Sequence, residues 1–550
     1  MVETSYPMSA AVRAAYRAGQ EDETLEPLVR VDIDGRPMGR IAGGDYVIFY
    51  DIRGEREIEL SAALVARDFR HFARLPVPVH LATMIEYHPD LEVNVAFPPL
   101  AGLEDTLCDV VSRAGLRQVK VCESEKVTHL TFFLNGKRQE PFPGEERRVV
   151  PSPHGLSPME LPPEMRAAAV ADAAIEAIGD PGYALVTVNL CNVDVIGHVE
   201  NPGAIRIAVE MVDRQAGRIL DAARAAGFAA LVLADHGTVE RWYYPDGAID
   251  TGHTDSPVPL ILVDPAFGPV SRLRDDGALT DVAPTVLNLM GLDTPEAMSG
   301  QSLLEDWKTG RLADRAVGSS LQSPISDSPT FQTSNPPTSR RVLLLILDGW
   351  GIGDGGPGDL IAQASTPVMD GLLAACPHTR LQAAGLAVGM PAGTVGNSEA
   401  GHLHIGAGRP VPADRVRIGQ ALADGSFFQN RAFRWAMQGA RCDGTRLHLL
   451  GIVSFYSSHG SVDHLLALME MARRQGVPEV YIHAMLGRRG ERPESGAIYI
   501  EQVEREAERL GLGQVVSVIG RFWSLDREEH WDRIEKTYRL LVDGQGQPVG

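Results

Sequence analysis

The sequence has little cysteine and no long apolar run. Five cysteines occur among 550 residues, they stand far apart, and no two form a CxxC pair. This odd, scattered set argues against a disulfide framework and fits a reducing compartment. The longest purely aliphatic run, Val342–Leu347, is far too short to span a bilayer, and residues 1–19 contain no long apolar stretch. We therefore expect a cytoplasmic protein with neither a secretory signal nor a membrane anchor.

Positive charge is also scarce. Lys and Arg total 51 against 72 Asp and Glu, which gives a formal net charge of −21. We expect no nucleic-acid or membrane partner, because both polyanions repel such a chain, although a local basic pocket could still hold a small anion. The hydrophobic share of 44% is that of an ordinary globular protein, and the length suggests two to four domains at roughly 100–200 residues each.

Short apolar runs alternate with helical patterns along the chain. The runs predict buried parallel strands, and they lie at Tyr46–Tyr50, Ala184–Asn189, Ala229–Leu233, Val342–Leu347 and Leu447–Val453. Helical periodicity covers segments such as Ala204–Ala225 and Val462–Arg474. This alternation predicts an α/β fold with largely parallel sheets, whose sites form beyond the carboxyl ends of strands. The segment 317–339 is rich in Ser, Pro and Thr and is interpreted as an exposed linker.

Residues able to bind metal follow several of these strands. N-V-D-V-I-G-H supplies Asp194 and His198, A-D-H-G supplies Asp235 and His236, T-G-H-T supplies His253, and L-D-G-W-G supplies Asp348. Oxygen and nitrogen donors suit divalent ions such as Mn²⁺ and Zn²⁺. Any single Asp–His pair could instead be a cap or a satisfied polar pair. Together the six predict two metal ions about 3.5–4 Å apart, which could clamp a phosphoryl group and deprotonate a nucleophile.

Ser398 is the candidate nucleophile. It stands in T-V-G-N-S-E-A-G-H-L, a Gly-flanked turn before a predicted helix. The amino end of a helix favours anions, so a metal-activated Ser could carry a phosphoryl group there. The alternative interpretation is an ordinary N-cap Ser, with Glu399 in the first turn.

Four stretches resemble the cofactor-independent (2,3-bisphosphoglycerate-independent) phosphoglycerate mutases of the alkaline-phosphatase superfamily. They are L-L-I-L-D-G-W-G-I-G, G-N-S-E-A-G-H-L-H-I-G-A-G-R, A-D-H-G, and E-K-V-T-H-L-T-F-F-L-N-G followed by E-P-F-P-G-E. The resemblance runs over nearly the whole chain. It implies two α/β domains, an alkaline-phosphatase-like metal domain and a phosphoglycerate-mutase-type transferase domain.

The order of these stretches differs from the order in the family. L-D-G-W-G, which lies near the family's N-terminus, begins here at residue 347, after A-D-H-G. The chain therefore resembles a circularly permuted member in which 317–339 joins the family's usual ends. The resemblance then predicts a metal domain at 106–412 and a transferase (substrate) domain split between 1–105 and 413–550, whose two parts must meet in space.

The resemblance implies a role for each matching residue. One metal ion would be held by Asp194, His198 and His253, and the other by Asp348, Ser398, Asp235 and His236, with Ser398 the phosphorylated nucleophile. The expected cofactor is a pair of Mn²⁺ ions, with Mg²⁺ or Zn²⁺ possible. A basic cluster would grip a phosphoglycerate-like substrate through His459, Arg489, Arg521, Arg527, Arg53, Arg56 and Lys126, because guanidinium groups suit phosphate and carboxylate. We expect a monomer.

Two departures from the family fall in the expected substrate pocket. Where the family reads H-A-F-L-D-G-R-D-T, this chain has H-A-M-L-G-R-R-G-E, so Gly487 and Gly490 replace two aspartates. The second aspartate is the family's expected proton acceptor for the substrate hydroxyl. Where the family reads S-D-G-G-V-H, this chain has S-F-Y-S-S-H, with Phe455 and Tyr456 replacing a carboxylate and a glycine.

These departures leave several functions open. The chain could be an active mutase that interconverts 3-phosphoglycerate and 2-phosphoglycerate, with Glu491 or Asp526 as the base. It could be a retuned transferase that moves a phosphoryl or phosphonoformyl-type group to a phosphoglycerate-like acceptor in phosphonate biosynthesis, or a phosphatase in which water attacks phospho-Ser398. A non-enzymatic scaffold would predict a damaged metal set, yet all seven positions are present. The pathway, glycolysis or secondary metabolism, is open too.

Overall fold

The chain folds into two compact units, each with its own sheet and core. The computed structural model describes residues 6–74, 77–100, 102–153, 160–244, 247–264, 272–304, 340–455, 459–487 and 495–550. Unit 1 comprises Met1–Pro99 and Arg417–Gly550, and unit 2 comprises Leu100–Val416. The sequence leads us to expect boundaries after residues 105 and 412, whereas the compact units divide after Pro99 and Val416. The roles expected of the two domains stay predictions.

Unit 1 is built on a mixed, largely parallel sheet that draws on both ends of the chain. Numbered in chain order, its strands are β1 (Leu28–Arg30), β2 (Tyr46–Phe49), β3 (His80–Ile85), β4 (Asn94–Phe97), β13 (Leu447–Ile452), β14 (Val480–Leu486), β15 (Gln514–Gly520) and β16 (Gln547–Val549). Within the described residues their order is β16-β1-β15-β14-β13-β2-β3-β4, and the β1–β15 pair is antiparallel. Each half of the divided unit therefore supplies strands to one sheet.

The helices of unit 1 cover this sheet. They are α1 (Pro7–Arg17), α2 (Gly54–Val65), α11 (Arg431–Asp443), α12 (Val462–Gln475), α13 (Gly496–Leu510), α14 (Arg521–Ser524) and α15 (Trp531–Tyr538), while α10 (Asp414–Asp424) begins just before the unit boundary. Strands β2 and β13 are buried along their whole length. This burial explains why the sequence of each is a continuous apolar run rather than an alternating one.

Unit 2 has a second mixed sheet. Its strands are β5 (Arg117–Glu123), β6 (Glu145–Val150), β7 (Tyr183–Leu190), β8 (Ala229–Leu233), β9 (Val258–Val263), β10 (Gly277–Ala278), β11 (Val342–Leu347) and β12 (His378–Gln382). Their order within the described residues is β10-β12-β9-β8-β11-β7-β5-β6, with antiparallel pairing at β8–β9 and β9–β12. The aliphatic strand β11 lies between β7 and β8, parallel to both, at the centre of the core.

The helices of unit 2 pack against this sheet. They are α3 (Leu107–Arg113), α4 (Ala167–Gly179), α5 (Asn192–Gly197), α6 (Pro202–Ala225), α7 (Val282–Met290), α8 (Pro367–Ala375) and α9 (Ser398–Ala407). The predicted α/β class with largely parallel sheets is confirmed, as are the five strands and two helices predicted above, to within two residues at each end. The predicted linker 317–339 lies outside the described residues. No described helix is both long and apolar enough to cross a membrane.

Candidate functional site

Three adjacent parallel strands of unit 2 bring the predicted metal ligands together. Asp348 directly follows β11, and one residue separates Asp235 from the end of β8. Asp194 lies in the short helix α5 just after β7. Because β8, β11 and β7 are neighbours, their carboxyl ends meet at one edge of the sheet. All three carboxylates are buried there, which is costly unless each has a charged or hydrogen-bonding partner.

Ser398 is the first residue of α9, and its hydroxyl is not used to cap the helix. Asn397 is the N-cap, because its side-chain oxygen accepts a hydrogen bond of 2.8 Å from the backbone N–H of Ala400. The Ser398 Oγ instead lies 2.7 Å from Lys126 Nζ and 2.9 Å from His236 Nε2. The interpretation of Ser398 as an ordinary N-cap is therefore wrong, and its buried hydroxyl faces the metal-ligand cluster.

His198 and His253 show how well this cluster suits a cation. Nδ1 of His198 lies 2.7 Å from the carbonyl oxygen of Thr251, and Nδ1 of His253 lies 3.0 Å from that of Gly396. A carbonyl only accepts, so each Nδ1 carries a hydrogen, which leaves Nε2 as the atom of each ring that can bind a metal ion. The two Nε2 atoms nevertheless lie 3.3 Å apart.

The carboxylate of Asp194 faces the same two rings. Its Oδ1 lies 3.1 Å from His253 Nε2 and 3.5 Å from His198 Nε2, without hydrogen-bond geometry to any described residue. Lone pairs that converge on one point repel each other unless a cation lies between them. The backbone carbonyls that fix both tautomers are the outer partners expected of metal-bound histidines, so these three residues fit a divalent metal ion.

A histidine that the sequence analysis missed lies against the second set of ligands, with its Nδ1 also 2.9 Å from the backbone oxygen of Ser398. Asp235, Asp348 and His402 place one ligand atom each within 4.8 Å of one another, and so do Asp194, His236 and Asp348. Nδ1 of His402 lies 3.1 Å from Asp235 Oδ2. His402 was quoted within the G-N-S-E-A-G-H-L motif, and the signal that could have found it is its spacing of four residues from Ser398, which puts both on one face of α9.

Lys126 lies among these carboxylates in unit 2. Its Nζ is 2.6 Å from Asp194 Oδ2 and 2.9 Å from Asp348 Oδ1. Burial alone would lower the pKa of Lys126, but the carboxylates of Asp348 and Asp194 raise it well above its ordinary value. Burial alone would raise the pKa of Asp194, yet Lys126 and the nearby imidazoles hold it well below its ordinary value. Lys126 is therefore a charged ammonium group that also donates to the candidate nucleophile.

A cleft of about 730 Å³ opens onto this cluster within unit 2. Its lining includes Lys126, Asp194, His198, His253, Asn397 and Ser398, together with His129. Burial and the neighbouring Lys126 lower the pKa of His129 to about 4, so that ring is neutral. The cleft is large enough for a small phosphorylated molecule to reach the Ser398 hydroxyl.

The remaining predicted residues lie at the carboxyl edge of the sheet in unit 1. Arg53 and Arg56 follow β2 at the start of α2, His459 follows β13, and Arg521 directly follows β15. Strands β15, β14, β13 and β2 are neighbours, so these side chains come from adjacent loops. Arg489, Gly490 and Glu491 lie outside the described residues, as does Tyr456.

Three of the predicted arginines of unit 1 are paired with nearby acids. Glu55 is shared by Arg53, at 2.6 Å, and Arg527, at 3.0 Å. Arg521 donates to Glu23 Oε1 at 2.8 Å. Arg53, Arg527 and Glu55 are all partly exposed, so these ion pairs are worth little and an incoming anion can compete for the guanidinium groups.

Two of the departures from the family have a visible structural setting. Gly487 has a φ of +106°, and a Cβ built there would lie 2.7 Å from the Cα of Glu23, so the residue that replaces an aspartate has no room for a side chain. Phe455, three residues beyond the end of β13, is 64% exposed. The suggested base Asp526 is buried and accepts hydrogen bonds from the N–H groups of Glu528 and His530. It also pairs with Arg533 at 3.3 Å. Because these partners already occupy its carboxylate, Asp526 is poorly placed to accept a proton from a substrate.

Comparisons with known proteins point to one family. A family model described as "Metalloenzyme superfamily" matches residues 53–294, and one described as "BPG-independent PGAM N-terminus" matches 2–89 and 418–549. Similar curated proteins named 2,3-bisphosphoglycerate-independent phosphoglycerate mutase include one from Syntrophotalea carbinolica, 42% identical over 55% of this chain and 59% of the relative. Others come from Thermomicrobium roseum, with 44% identity over 55% and 58%, and Moorella thermoacetica, with 49% over 38% and 40%.

A solved structure of Leishmania mexicana phosphoglycerate mutase at low cobalt concentration is also similar. It is 32% identical to this chain over 50% of this chain and 53% of that one, with a TM-score of 0.37. The chain spans less than three fifths of the length of the curated relatives named above.

Proposed function

We propose that this chain, which belongs to the 2,3-bisphosphoglycerate-independent phosphoglycerate mutase family of the alkaline-phosphatase superfamily, transfers a phosphoryl group through a phosphoserine at Ser398. The observation that carries the proposal is the position of Ser398 Oγ, within hydrogen-bond distance of both Lys126 and His236. The proposed substrate is a phosphoglycerate, and the proposed reaction interconverts 3-phosphoglycerate and 2-phosphoglycerate.

The seven predicted ligands are proposed to hold two divalent metal ions, Mn²⁺ first and Mg²⁺ or Zn²⁺ as alternatives. One set is Asp194, His198 and His253, and the other is Asp348, Ser398, Asp235 and His236, with His402 positioning Asp235 from outside the set. All are oxygen and nitrogen donors without thiolate, which suits Mn²⁺. When bound, such ions supply Lewis-acid stabilisation of phosphoryl oxygens and favour the alkoxide form of a serine.

The protein groups around Ser398 support attack on a phosphate ester. The Ser398 Oγ attacks phosphorus as the bond from phosphorus to the substrate oxygen breaks, and the proton that Oγ gives up is balanced by one that the leaving substrate oxygen gains. Lys126 donates to Oγ and so stabilises negative charge on it. The amino end of α9 offers further N–H groups to the phosphoryl oxygens.

Unit 1 is proposed to hold the charged groups of the substrate. Arg53, Arg56, Arg521 and Arg527 supply planar guanidinium donors, which suit carboxylate and phosphate, with His459 and Arg489 completing the predicted cluster. We propose further that the protein acts as a monomer in the cytoplasm on a small phosphorylated substrate.

The test is ³¹P NMR of Mn²⁺-loaded protein with 3-phosphoglycerate. Appearance of the 2-phosphoglycerate signal, lost in Ser398→Ala, is the expected result. Inorganic phosphate alone would indicate a phosphatase. An unchanged spectrum from protein with measured metal content, or activity that survives Ser398→Ala, would contradict the proposal.

A retuned transferase is the second candidate, because the exposed Phe455 and the close packing at Gly487 replace carboxylates of the family's pocket. It would move a phosphoryl or phosphonoformyl-type group to a phosphoglycerate-like acceptor. The same NMR assay with a phosphonoformate ester as donor separates the two, since the second candidate predicts a new phosphonate signal where 3-phosphoglycerate alone is inert.

The order of the segments is a separate proposal. We propose that the chain is circularly permuted, with a transferase (substrate) domain formed by about 1–105 and 413–550 and a metal domain at about 106–412. In its support, the model described as an N-terminus matches both end segments of this chain, 2–89 and 418–549. A permuted order would also interrupt any collinear alignment, in line with alignments that cover 55% of this chain.

A further inference from the structure

A buried carboxylate in unit 2 touches three of the segments that carry the proposed metal ligands. Glu240 follows His236 by four residues and is 2% exposed. Its Oε2 accepts a hydrogen bond of 2.8 Å from the backbone N–H of Thr238, and its Oε1 accepts a hydrogen bond from the hydroxyl of Thr254. Burying a carboxylate is costly, and these two bonds are what offset the cost here. Both partners lie next to, or close to, a proposed ligand in the chain.

Thr238 connects Glu240 to His236. Nδ1 of His236 lies 3.2 Å from the carbonyl oxygen of Gly237 and 3.3 Å from Thr238 Oγ1. Because a carbonyl only accepts, Nδ1 carries a hydrogen, and Nε2 is the ring atom that faces Ser398 Oγ, at 2.9 Å. By accepting from the N–H of Thr238, Glu240 fixes the turn that holds this imidazole in its orientation.

Thr254 connects Glu240 to His253, which precedes it in the chain. Thr254 is 1% exposed, and its backbone N–H donates to the oxygen of Gly237 at 3.0 Å. Its backbone oxygen accepts from Gly396 N–H at 3.1 Å, and the oxygen of Gly396 is the one that lies 3.0 Å from His253 Nδ1. Thr254 therefore joins the His253 loop to two neighbouring loops, and Glu240 holds its hydroxyl.

The third segment, which follows Asp348, packs directly on the same carboxylate. A Cβ built on Gly351 would lie 2.7 Å from Glu240 Oε1, so the carboxylate occupies the space that a side chain would need. The backbone of Gly351 is not in the left-handed region, so this contact, and not the backbone conformation, is what excludes a larger residue. Three ligand-bearing segments thus meet on one side chain.

We propose that Glu240 is a positioning residue for the metal centre, which holds the loops of His236, His253 and Asp348 at the separation that metal binding needs. The inference rests on the proposed function, because these three residues are ligands only if that function holds. Within the described residues, Glu240 belongs to none of the groups whose ligand atoms converge, so it acts through the ligands. His253 belongs to one proposed ion, and His236 and Asp348 to the other. Loss of Glu240 should therefore weaken the binding of both.

The experiment is calorimetric titration of metal-free protein with Mn²⁺, in the parent and in two substitutions of Glu240. Glu240→Ala should weaken Mn²⁺ binding roughly 10–100-fold, as loss of a group that holds metal ligands does elsewhere. Glutamine keeps the shape of the side chain. Its Oε1 can accept from Thr238 N–H while its Nε2 donates to Thr254 Oγ1. Glu240→Gln should therefore recover most of the lost affinity. A Glu240→Gln protein as weak as Glu240→Ala would overturn the inference, because the charge of Glu240 rather than its contacts would then matter.

Asp213 supplies a matched control within unit 2. It is also 2% exposed, and its carboxylate accepts from the N–H groups of Val368 and Met369 at the start of α8. Asp213→Ala should lower the thermal midpoint of the metal-free protein, as Glu240→Ala does, but leave its Mn²⁺ affinity unchanged. Equal losses of affinity in the two variants would overturn the inference, since general destabilisation would explain both.

A milder variant covers the case in which Glu240→Ala does not fold. Thr254→Val keeps the shape of the side chain but removes the hydroxyl that donates to Glu240. It should weaken Mn²⁺ binding less than Glu240→Ala does, because the bond from Thr238 N–H to Glu240 remains. Parent-like affinity in either variant would overturn the inference.

The failure of the proposed function is distinguishable from these outcomes. Parent protein that binds no Mn²⁺ in the titration would contradict the proposed metal centre itself. Parent protein that binds Mn²⁺ no more tightly than Glu240→Ala would overturn only the role of Glu240.

Discussion

Asn397 and Ser398 are adjacent at the start of α9, yet their side chains have different roles. Asn397→Ala removes the N-cap hydrogen bond and should lower the free energy of unfolding by about 1 kcal/mol while phosphorylation at Ser398 persists. Ser398→Ala should abolish phosphorylation while the N-cap hydrogen bond of Asn397 stays in place. Urea unfolding and intact-mass measurement of both variants check this. Loss of phosphorylation in Asn397→Ala would contradict this division of roles.

His402 offers a test of the metal site at a residue that the sequence analysis did not select. Its Nδ1 faces Asp235 and its Nε2 lies 3.1 Å from the side-chain nitrogen of Asn189. His402→Gln should weaken Mn²⁺ binding roughly 10–100-fold, as loss of a ligand or of its partner does elsewhere. His404→Gln is the control, because His404 is also buried on α9 but bonds only backbone groups of Ala400 and Val411 among the described residues. Calorimetric titration with Mn²⁺ measures both, and equal affinities would contradict the expectation.

Some of these residues could be predicted from the sequence alone, because a nearby sequence pattern marks them, and others could not. Asp348, Asp235 and Asp194 were predictable because each closely follows a recognisable apolar strand. His402 was not, because its membership depends on the face of α9 that meets Asp235. The contact between Glu57 and His459 was not predictable either, because only packing brings these two side chains together.

At the scale of the element, the turn that ends β14 depends on Gly487. Its φ of +106° and the Glu23 Cα at 2.7 Å from a built Cβ should make Gly487→Ala costly. Gly511, at the end of α13, has a φ of +62° and nothing within 4 Å of a built Cβ. We expect Gly487→Ala to lower the free energy of unfolding by about 1–3 kcal/mol more than Gly511→Ala does, because strain and overpacking add. Urea denaturation measures the difference, and equal costs would show that the loop of Glu23 yields freely.

The same contact explains a limit of prediction for elements. The central strands were predictable from continuous apolar runs, since helices cover both faces. The replacement of an aspartate by Gly487 was visible in the sequence, but its reason was not, since Glu23 lies more than 460 residues away along the chain. Short strands such as β10 and β16 carry too few residues to show any periodicity.

For the whole molecule, the proposed permutation can be tested by reversing it. Strand β16, near the end of the chain, pairs in parallel with β1, near its beginning, within one sheet. A rearranged protein that begins at residue 340, continues through 550, and is joined by a flexible Gly/Ser linker to 1–304 should fold with both cores intact. We expect its thermal midpoint and its Mn²⁺ stoichiometry to match those of the parent. Aggregation, or loss of metal binding, would contradict the proposed equivalence of the two orders.

The division of unit 1 has a consequence during synthesis on the ribosome. Strand β2 pairs with β13, and roughly 400 residues must be translated between them. At about 5–20 residues per second the first 99 residues wait some tens of seconds for the strands that complete their sheet. In that interval unit 2 can finish folding once Val416, its last residue, has emerged, while the apolar β2 stays without its partner β13. The nascent chain therefore exposes its N-terminal segment to chaperones and proteases for longer than a collinear order of the same two units would.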